Sequence, residues 1–335
     1  MAQIIDQIVK ISIQDAVSGV STTDVNTVAL VGASASGTSA AEVSSVEGAE
    51  TAFGSDSELA KMVRAFFAQD SQPSSVVCIP SGDDALEAVK TAAGSFDFYH
   101  VVANGIAKAD LAKWQEWLAD AKKVLHVQVS DGSGYGKHGN DRVAVYVHGT
   151  EGEYLPVAIV ALRCAADSAR GTFAHRTCSG VTADAYTAES YKSAIDDGLN
   201  IYVKVAGEAR LFMGTTGDAE TFIDQKIKDD WIRFNVQSKI FALLGEANDG
   251  HGVNYDDAGI GAVAASVLGV LNVAADTDHQ YIMEDSASVD YKSYSWLKEN
   301  RAEDVRKRNL PLVSGKYSRM NSIHTVNQVT LTVTL

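Results

Sequence analysis

Between residues 26 and 149 the sequence alternates short apolar runs with longer amphipathic stretches, and this alternation constrains the fold more than any other feature. The runs NTVALVGA, SSVVCIPS, DFYHVVAN, VLHVQVSD and RVAVYVHG each have the length and composition of a buried strand. Between most of them lie segments with one apolar face, such as DSELAKMVRAFFAQ and KADLAKWQEWLADAKK. Strands that are apolar on both faces and separated by helices are typical of a mostly parallel sheet covered on both sides. The sequence therefore predicts an α/β fold.

The pattern changes in the second half of the chain. YLPVAIVALRCAADSA predicts a largely apolar helix buried between layers, and NIYVKVAG with ARLFMGTT predicts a hairpin that turns at Gly207 and Glu208. A long helix capped by Asp218 should follow, and another should begin at Asn254. We assign residues 1–24 to an N-terminal arm, 25–198 to an α/β domain, 199–322 to an α+β C-terminal domain and 323–335 to a C-terminal arm.

The last residues form a strand pattern with no polar tail. Four apolar residues alternate with threonines, which is the period of a strand with one apolar face; they are Val329, Leu331, Val333 and Leu335. Val9, Ile11 and Ile13 alternate in the same way near the start of the chain. An uncovered apolar edge promotes aggregation, so the C-terminal strand must pair with another strand, either in its own chain or in a neighbour.

Composition and charge exclude several classes of protein. The chain is 46% hydrophobic and 21% charged, as globular proteins are, and no apolar run approaches the roughly 20 residues of a membrane span. Three cysteines without CxxC spacing indicate reduced thiols in a cytoplasmic protein. The net charge of −15 argues against nucleic-acid binding. Residues 292–319, however, hold eight basic and three acidic side chains and form a positive segment.

Motifs that look catalytic lack the residues that catalysis needs. In VGASASG, Ser36 stands where a nucleophile elbow has glycine, and the TSAAEVSSVEGAE that follows does not predict a helix. The protease-like GTSAA precedes every histidine in the chain. GSGYGKHG is one residue too short for a phosphate loop and predicts a flexible surface loop. The acidic pair Asp229 and Asp230 should be solvated. We therefore assign no catalytic residue, metal ligand or cofactor.

Residues 211–274 resemble the C-terminal domain of contractile tail sheath proteins from phages and phage-tail-like bacteriocins. In that family a strand and a Gly-x-Thr turn lead into a long helix with a central tryptophan. The next helix starts with a motif matched here by Tyr255, Asp256, Asp257, Ala258, Gly259 and Ile260, although Asn254 replaces the usual proline. The stretch IVKISIQDAVSGVSTTDVNTVALVG also looks like the family's N-terminal arm.

This resemblance implies a structural subunit rather than an enzyme, one that polymerises around an inner tube and contracts to drive the tube through a cell envelope. Its arms would add strands to neighbouring subunits through Val9, Ile11, Ile13, Val329, Leu331, Val333 and Leu335. A basic patch would face the tube, formed by Arg301, Arg306, Lys307 and Arg308.

The implied partners are further copies of the chain, the inner tail tube protein, and the baseplate and tail terminator proteins. Direct contact with nucleic acid or membrane is not expected. The chain would be made in the host bacterial cytoplasm and become part of a phage tail or a phage-tail-like particle. The residues alone leave two alternatives open, namely an α/β hydrolase or nucleotide-binding enzyme, and another self-assembling structural protein.

Overall fold

A computed structural model describes residues 24–246 and 252–326 of the chain. Within these residues the strands are β1 (Val28–Gly32), β2 (Ala41–Val43), β3 (Val76–Pro80), β4 (His100–Asn104), β5 (Val124–Val129), β6 (Val143–Val147), β7 (Asn200–Val205), β8 (Glu208–Phe212), β9 (Ser288–Asp290) and β10 (Ser314–Lys316). The α-helices are α1 (Val46–Phe53), α2 (Glu58–Phe67), α3 (Ala85–Ala92), α4 (Leu111–Ala121), α5 (Leu155–Ala165), α6 (Ala188–Asp196), α7 (Ile223–Glu246), α8 (Asp257–Ala275), α9 (Tyr294–Asn300) and α10 (Ala302–Arg306).

Strands β1 to β8 form one mixed sheet in the order β2-β3-β1-β4-β5-β6-β7-β8. The inner strands run parallel, whereas β2 and β8 pair antiparallel at the two edges. Successive side chains of β1 enter different clusters of buried residues, because Leu30 belongs to one cluster and Ala29 and Val31 to the other. The sheet is thus covered on both faces, and the predicted mostly parallel α/β architecture is confirmed.

Local capping explains where several helices begin. The Ser57 hydroxyl accepts the Ala60 N–H at 3.1 Å, which makes Ser57 the N-cap of α2. Ser45 caps α1 in the same way. The prediction that residues 38–50 do not start a helix is therefore wrong. Helix α6, which begins with a capping box at Thr187, was not predicted either.

The hairpin of β7 and β8 turns one residue earlier than predicted. Val205 pairs with Glu208, so the two turn residues are Ala206 and Gly207 rather than Gly207 and Glu208. Both have positive φ, 52° and 92°, as a type I′ hairpin turn requires. Local preference disfavours the positive φ of Ala206, and the strand register nevertheless selects this position.

Two predicted helix starts in the C-terminal half are also wrong. The Asp218 carboxylate accepts the Thr221 N–H at 2.7 Å inside the loop before α7, and the helix begins only at Ile223. The N-cap of α8 is Asp256 and not Asn254. Phe241, near the end of α7, is 49% exposed.

Helices α5 and α8 are the most apolar helices of the described chain. Helix α5 is buried along nearly its whole length, as predicted. Helix α8 buries one apolar face, which includes Ile260, Val263, Val267 and Leu271. It is also long and apolar enough to cross a membrane, with a mean hydropathy of 1.9, so the expectation that no stretch approaches this length is wrong. Core helices of soluble proteins pass the same test, and α8 packs along α7.

A buried ion pair attaches α7 to the sheet. Asp230 accepts two hydrogen bonds from Arg142, at 2.7 and 2.9 Å, and one from the Tyr99 hydroxyl at 2.7 Å. All three side chains are buried. Burial alone would raise the pKa of Asp230, but the Arg142 charge and these hydrogen bonds outweigh it and hold that pKa below its usual range. The ionised pair fixes α7 at the edge where β4 and β6 begin.

The main sheet continues across the predicted boundary at residue 198. Strands β7 and β8 lie beyond that boundary, yet β7 pairs with β6 and β8 pairs with β7. The loop that follows β8 is joined to this sheet as well, since the Asn200 amide donates to the Thr215 carbonyl at 2.8 Å. The division of the chain into an α/β domain and a C-terminal domain stays a prediction. The main sheet contains strands from both sides of the predicted boundary.

Three side chains on the adjacent strands β4, β5 and β6 form a buried series of hydrogen bonds on one face of the sheet. The His100 Nδ1 lies 2.9 Å from the His126 Nε2, and the His126 Nδ1 lies 3.0 Å from the Tyr146 hydroxyl. His126 also stacks on Phe173. Burial lowers the pKa of His100 to about 3 and the pKa of His126 well below its ordinary value. Both rings are therefore neutral in the folded protein at neutral pH.

We expect this pair to make folding pH-dependent. The unfolded chain takes up protons near pH 6.5 while the folded chain does not, so the stabilisation is complete above pH 6.5 and is lost as the pH falls towards 3. At pH 5 His100 alone should lower the free energy of unfolding by on the order of 2 kcal/mol relative to pH 7, and His126 should act in the same direction. Imidazole NMR titration with urea unfolding at both pH values measures this, and a His100 ring that titrates near pH 6.5 would contradict it.

Candidate assembly surfaces

The motif at the start of α8 makes hydrogen bonds to the segment that contains α9 and α10. Asp256 caps the helix by accepting the Gly259 N–H at 2.9 Å, and Asp257 accepts the Tyr294 N–H at 2.7 Å. The Tyr255 hydroxyl donates to the Asn309 carbonyl at 2.8 Å. Consecutive residues of one motif thus hold the beginning of α9 and the chain beyond α10.

Glycine is required at position 259 of this motif. A Cβ atom there would lie 1.9 Å from the Asn254 carbonyl oxygen, which no side chain can tolerate. The next motif residue, Ile260, is 2% exposed and packs into the core. Five of the six motif residues, all except the exposed Ala258, therefore have a local structural reason for their identity.

The predicted basic patch lies together on α10 and at its two ends. Arg301 precedes the helix, Arg306 ends it, and Lys307 and Arg308 follow, all four being exposed. Their charge is partly neutralised within the same segment. Glu303 lies 2.6 Å from Arg306 and 3.6 Å from Lys307. The patch is thus a surface with its own counter-charges, and which partner it faces stays a prediction.

Strands β9 and β10 form a second, two-stranded antiparallel sheet. One face lies against α8, since a Cβ on Gly315 would approach Leu271 to 3.3 Å. The other face is exposed and carries the Lys316–Asp290 ion pair at 2.9 Å. Within the described residues each of these strands is an edge strand, so this sheet has two open edges at which a further strand can pair.

The chain beyond β10 returns to α7 through Asp229. This carboxylate accepts hydrogen bonds from the Tyr317 hydroxyl at 3.0 Å and from the Arg319 Nε at 2.9 Å. Asp229 is 8% exposed and Asp230 is 4% exposed. The prediction that this acidic pair is solvated is therefore wrong, although the two side chains do point to different sides of the helix as expected.

The serine-rich motif after β1 has a structural role. The Ser34 hydroxyl donates to the Phe53 carbonyl and the Ser36 hydroxyl to the Ala52 carbonyl, at 3.4 and 3.2 Å. Both hydroxyls thereby hold the end of α1. In the described part of the chain no group of three or more histidine, cysteine, aspartate or glutamate side chains is arranged to hold a metal ion.

The glycine-rich loop between β5 and β6 is packed rather than free. A Cβ on Gly132 would lie 2.7 Å from the Leu199 side chain, and one on Gly136 would lie 2.6 Å from the Asp197 side chain. The Lys137 N–H donates to the Asp197 carbonyl at 2.9 Å. The two glycines lack a side chain and so let the loop pack directly against the residues that follow α6. The prediction of a flexible surface loop is therefore wrong at these positions.

His148 lies between two carboxylates, an arrangement that resembles a catalytic histidine. Its Nδ1 lies 2.8 Å from Asp184 and its Nε2 lies 3.0 Å from Glu153. Burial lowers the pKa of His148, but the hydrogen bonds and charges of the two carboxylates outweigh burial and raise it. The Glu153 carboxylate also accepts the Thr182 hydroxyl at 2.8 Å. This cluster joins the loop after β6 to the segment before α6 and leaves no ring nitrogen free to act on a nucleophile.

The residues predicted to exchange strands lie outside the described residues. These are Val9, Ile11 and Ile13 of the N-terminal arm and Val329, Leu331, Val333 and Leu335 of the C-terminal arm. Their role stays a prediction. Strands β9 and β10 were not predicted, because strands of three residues carry no readable alternation.

Comparison with solved structures identifies proteins of similar fold. A chain in the cryo-EM structure of the anti-feeding prophage (AFP) baseplate, six-fold symmetrised, is 14% identical with a TM-score of 0.70, and the match covers 98% of each chain. A chain of the AFP helical sheath in its contracted state is 12% identical with a TM-score of 0.65 over 94% of each chain.

The crystal structure of the sheath tail protein Lin1278 from Listeria innocua is also similar, at 10% identity and a TM-score of 0.57. That match covers 79% of this chain and 88% of Lin1278. No family model and no curated protein sequence matches the chain. The chain thus has the fold of contractile tail sheath proteins.

We expect the two neighbouring acids of α7 to differ in what they stabilise. Asp230→Asn leaves Arg142 buried without its counter-charge and should lower the free energy of unfolding by about 3–5 kcal/mol. Asp229→Asn should cost about 1–2 kcal/mol, because the Arg319 side chain is 37% exposed and water can replace the lost contact. Urea unfolding measures both.

The two variants control for each other, since they change the same group at adjacent positions. Asp229→Asn should also speed tryptic cleavage after Arg319, because it removes the partner of that side chain. Asp230→Asn should not, when the two variants are compared under conditions that give them the same free energy of unfolding. If Asp230→Asn costs no more than Asp229→Asn, the buried pair does not carry the attachment of α7.

Proposed function

We propose that this chain is the structural subunit of a contractile tail sheath, polymerising helically around an inner tube. The observation that carries the proposal is the similarity of fold over 94% of both chains to a subunit of a helical sheath in its contracted state. A second support is that the motifs considered for catalysis hold helices and loops together within the described residues. The proposed role is therefore mechanical and not enzymatic.

Strand exchange is the proposed connection between subunits. A strand that joins an open edge contributes main-chain hydrogen bonds, while its alternate side chains fill apolar positions of the partner. The N-terminal residues Val9, Ile11 and Ile13 and the C-terminal series from Val329 to Leu335 have this alternation. The edges of β9 and β10 are the proposed acceptors, because both are open and the sheet rests on α8.

Contraction is proposed as a change of lattice. A subunit that contacts its neighbour head-to-tail, without closing a ring, builds an open-ended helical array. Two arrangements of the same subunits can then differ in free energy while the exchanged strands keep the subunits connected. No step of this mechanism requires a cofactor, nucleic acid or membrane.

The proposed partners are other copies of the chain, the inner tail tube protein, and the baseplate and tail terminator proteins. One structure of similar fold comes from a baseplate assembly, which supports an association of this kind. Production in the host bacterial cytoplasm and incorporation into a phage tail or phage-tail-like particle are part of the same proposal.

Removing either arm should abolish assembly without unfolding the subunit. Deletion of residues 326–335 should give a folded chain that forms no sheath-like tubes in negative-stain electron microscopy. Ile11→Pro should act in the same way, because proline removes a ladder hydrogen bond and does not fit a central strand. Long tubes from the truncated chain would contradict this role. A large loss of subunit stability in Ile11→Pro would place that strand in its own chain.

The basic patch is proposed to hold the extended sheath on an acidic tube surface. Exposed ion pairs contribute about 0–1 kcal/mol each, so the contact must act through repetition along the tube. Changing Arg306, Lys307 and Arg308 to glutamate should give empty or prematurely contracted sheaths, and high salt should have part of this effect by screening.

A matched control variant should change the salt resistance of the particles in the opposite direction. Glu303→Gln removes the counter-charge of Arg306 and Lys307, so tube-filled particles of this variant should resist higher salt than the wild type. Electron microscopy of particles over a salt series measures both effects. Triple-reversal particles that are extended and tube-filled at normal yield would exclude tube docking through this patch.

A further inference from the structure

The chain that leads into the C-terminal arm is held to the body at several successive points. The Lys228 ammonium donates to the Met320 carbonyl at 2.7 Å, and the Gln225 amide donates to the Asn321 side chain at 3.1 Å. Both donors lie in the first turns of α7. The segment therefore runs along the beginning of this helix before it reaches His324.

His324 is seated in a socket made by three side chains from two other parts of the chain. Its Nε2 lies 2.8 Å from the Thr172 hydroxyl, and its carbonyl accepts the His175 Nε2–H at 2.9 Å. Its ring packs nearly perpendicular to the Phe222 ring, with 4.6 Å between ring centroids. The side chain and the main chain of this one residue are thus both bound.

The residues around His324 are not held in this way. Ile323 is 82% exposed and Val326 is 70% exposed, which is unusual for large apolar side chains. Within the described residues, His324 is the last position whose side chain makes a hydrogen bond to the body. Only Thr325 and Val326 follow it in the described chain, and both are exposed.

We propose that His324 is a peg that fixes the point of departure of the C-terminal arm, with Thr172, His175 and Phe222 as its socket. This inference rests on the proposed strand exchange, in which the arm must reach a neighbour from a fixed origin. Without the peg, the chain is next held at Asn321. Its free part grows by about three residues, or roughly 10 Å of extended chain. A longer tether lowers the effective concentration of the strand at its acceptor edge.

The socket accepts the neutral imidazole. The charged and titratable groups around it are Asp224 and Lys228 on α7, which pair with each other at 2.7 Å, and His175 and Arg176 on the socket loop. A protonated His324 would add a positive charge to a set that already holds two cations, Lys228 and Arg176, and one carboxylate, Asp224. Burial lowers the pKa of His324, and His175 and Lys228 lower it further against the opposing effect of Asp224. Docking is therefore strongest above pH 6.5, the ordinary imidazole value, and weakens as the pH falls.

The test measures where the segment leaves the isolated subunit. Spin labels are placed at Val326→Cys and at Lys192→Cys on the exposed face of α6, with Cys178→Ser in the background, and pulsed electron spin resonance gives the distance distribution. At pH 8 the wild-type distribution should be narrow. His324→Ala should make it roughly 1.5-fold wider, because the spread of a flexible tether grows with the square root of its length.

Two further variants separate the peg from general effects. His324→Gln keeps a hydrogen bond to Thr172 and has no proton to gain, so its distribution should stay narrow at pH 8 and at pH 5, whereas the wild type should widen at pH 5. Ile323→Ser changes the outward-facing neighbour and should behave as the wild type. A narrow distribution in His324→Ala, or the same widening at pH 5 in His324→Gln, would overturn the proposal.

Assembly of the same variants without labels distinguishes this inference from the proposed function. His324→Ala should form fewer or shorter tubes than Ile323→Ser, and equal assembly of the two would overturn a role of the peg in strand exchange. If the wild type forms no polymer, the proposed sheath function fails. The distances in the isolated chain then still decide whether His324 fixes the exit of the segment.

Discussion

Two neighbouring carboxylates on one turn of α7 hold the C-terminal part of the described chain to its sheet. Asp230 binds Arg142 and Tyr99 at the edge where the parallel strands begin, and Asp229 binds Arg319 and Tyr317 of the returning segment. Consecutive residues on a helix point about 100° apart, so one turn makes contacts in two directions. Buried carboxylates are costly unless they are paired, and both pairings must therefore form together with the fold.

A second set of contacts at the far end of this region places the exposed basic segment. Tyr255 and Asp257 hold the chain before and after α9 and α10, while Asp256 starts α8. The basic side chains consequently sit on a fixed base, although Glu303 balances part of their charge. Under the proposed function, this arrangement suits a contact that must be weak singly and repeated often, because each subunit offers only a small excess of positive charge.

The proposed assembly elements lie on one continuous stretch of chain. Strand β10 ends at Lys316, Asp229 binds the next residues, and His324 occupies its socket shortly afterwards. An acceptor edge and the origin of an outgoing strand are thus separated by a short segment that is held at several points. A polymer built from such units would transmit displacement between neighbours through the main chain, while each subunit keeps its own core.

The α/β sheet and most of the helices were predictable from the residues, because strands covered on both faces must be apolar throughout and helix caps are local. The hairpin turn was not predictable in this way, because local preference disfavours the positive φ of Ala206 and the pairing of Val205 with Glu208 nevertheless places the turn at Ala206–Gly207. The predictions of a solvated Asp229–Asp230 pair and of a flexible glycine-rich loop were also wrong. The roles of charged and small residues depend on partners far along the chain, such as Arg142 for Asp230 and Asp197 for Gly136. Only the tertiary structure brings those partners together, and apolar periodicity carries no information about them.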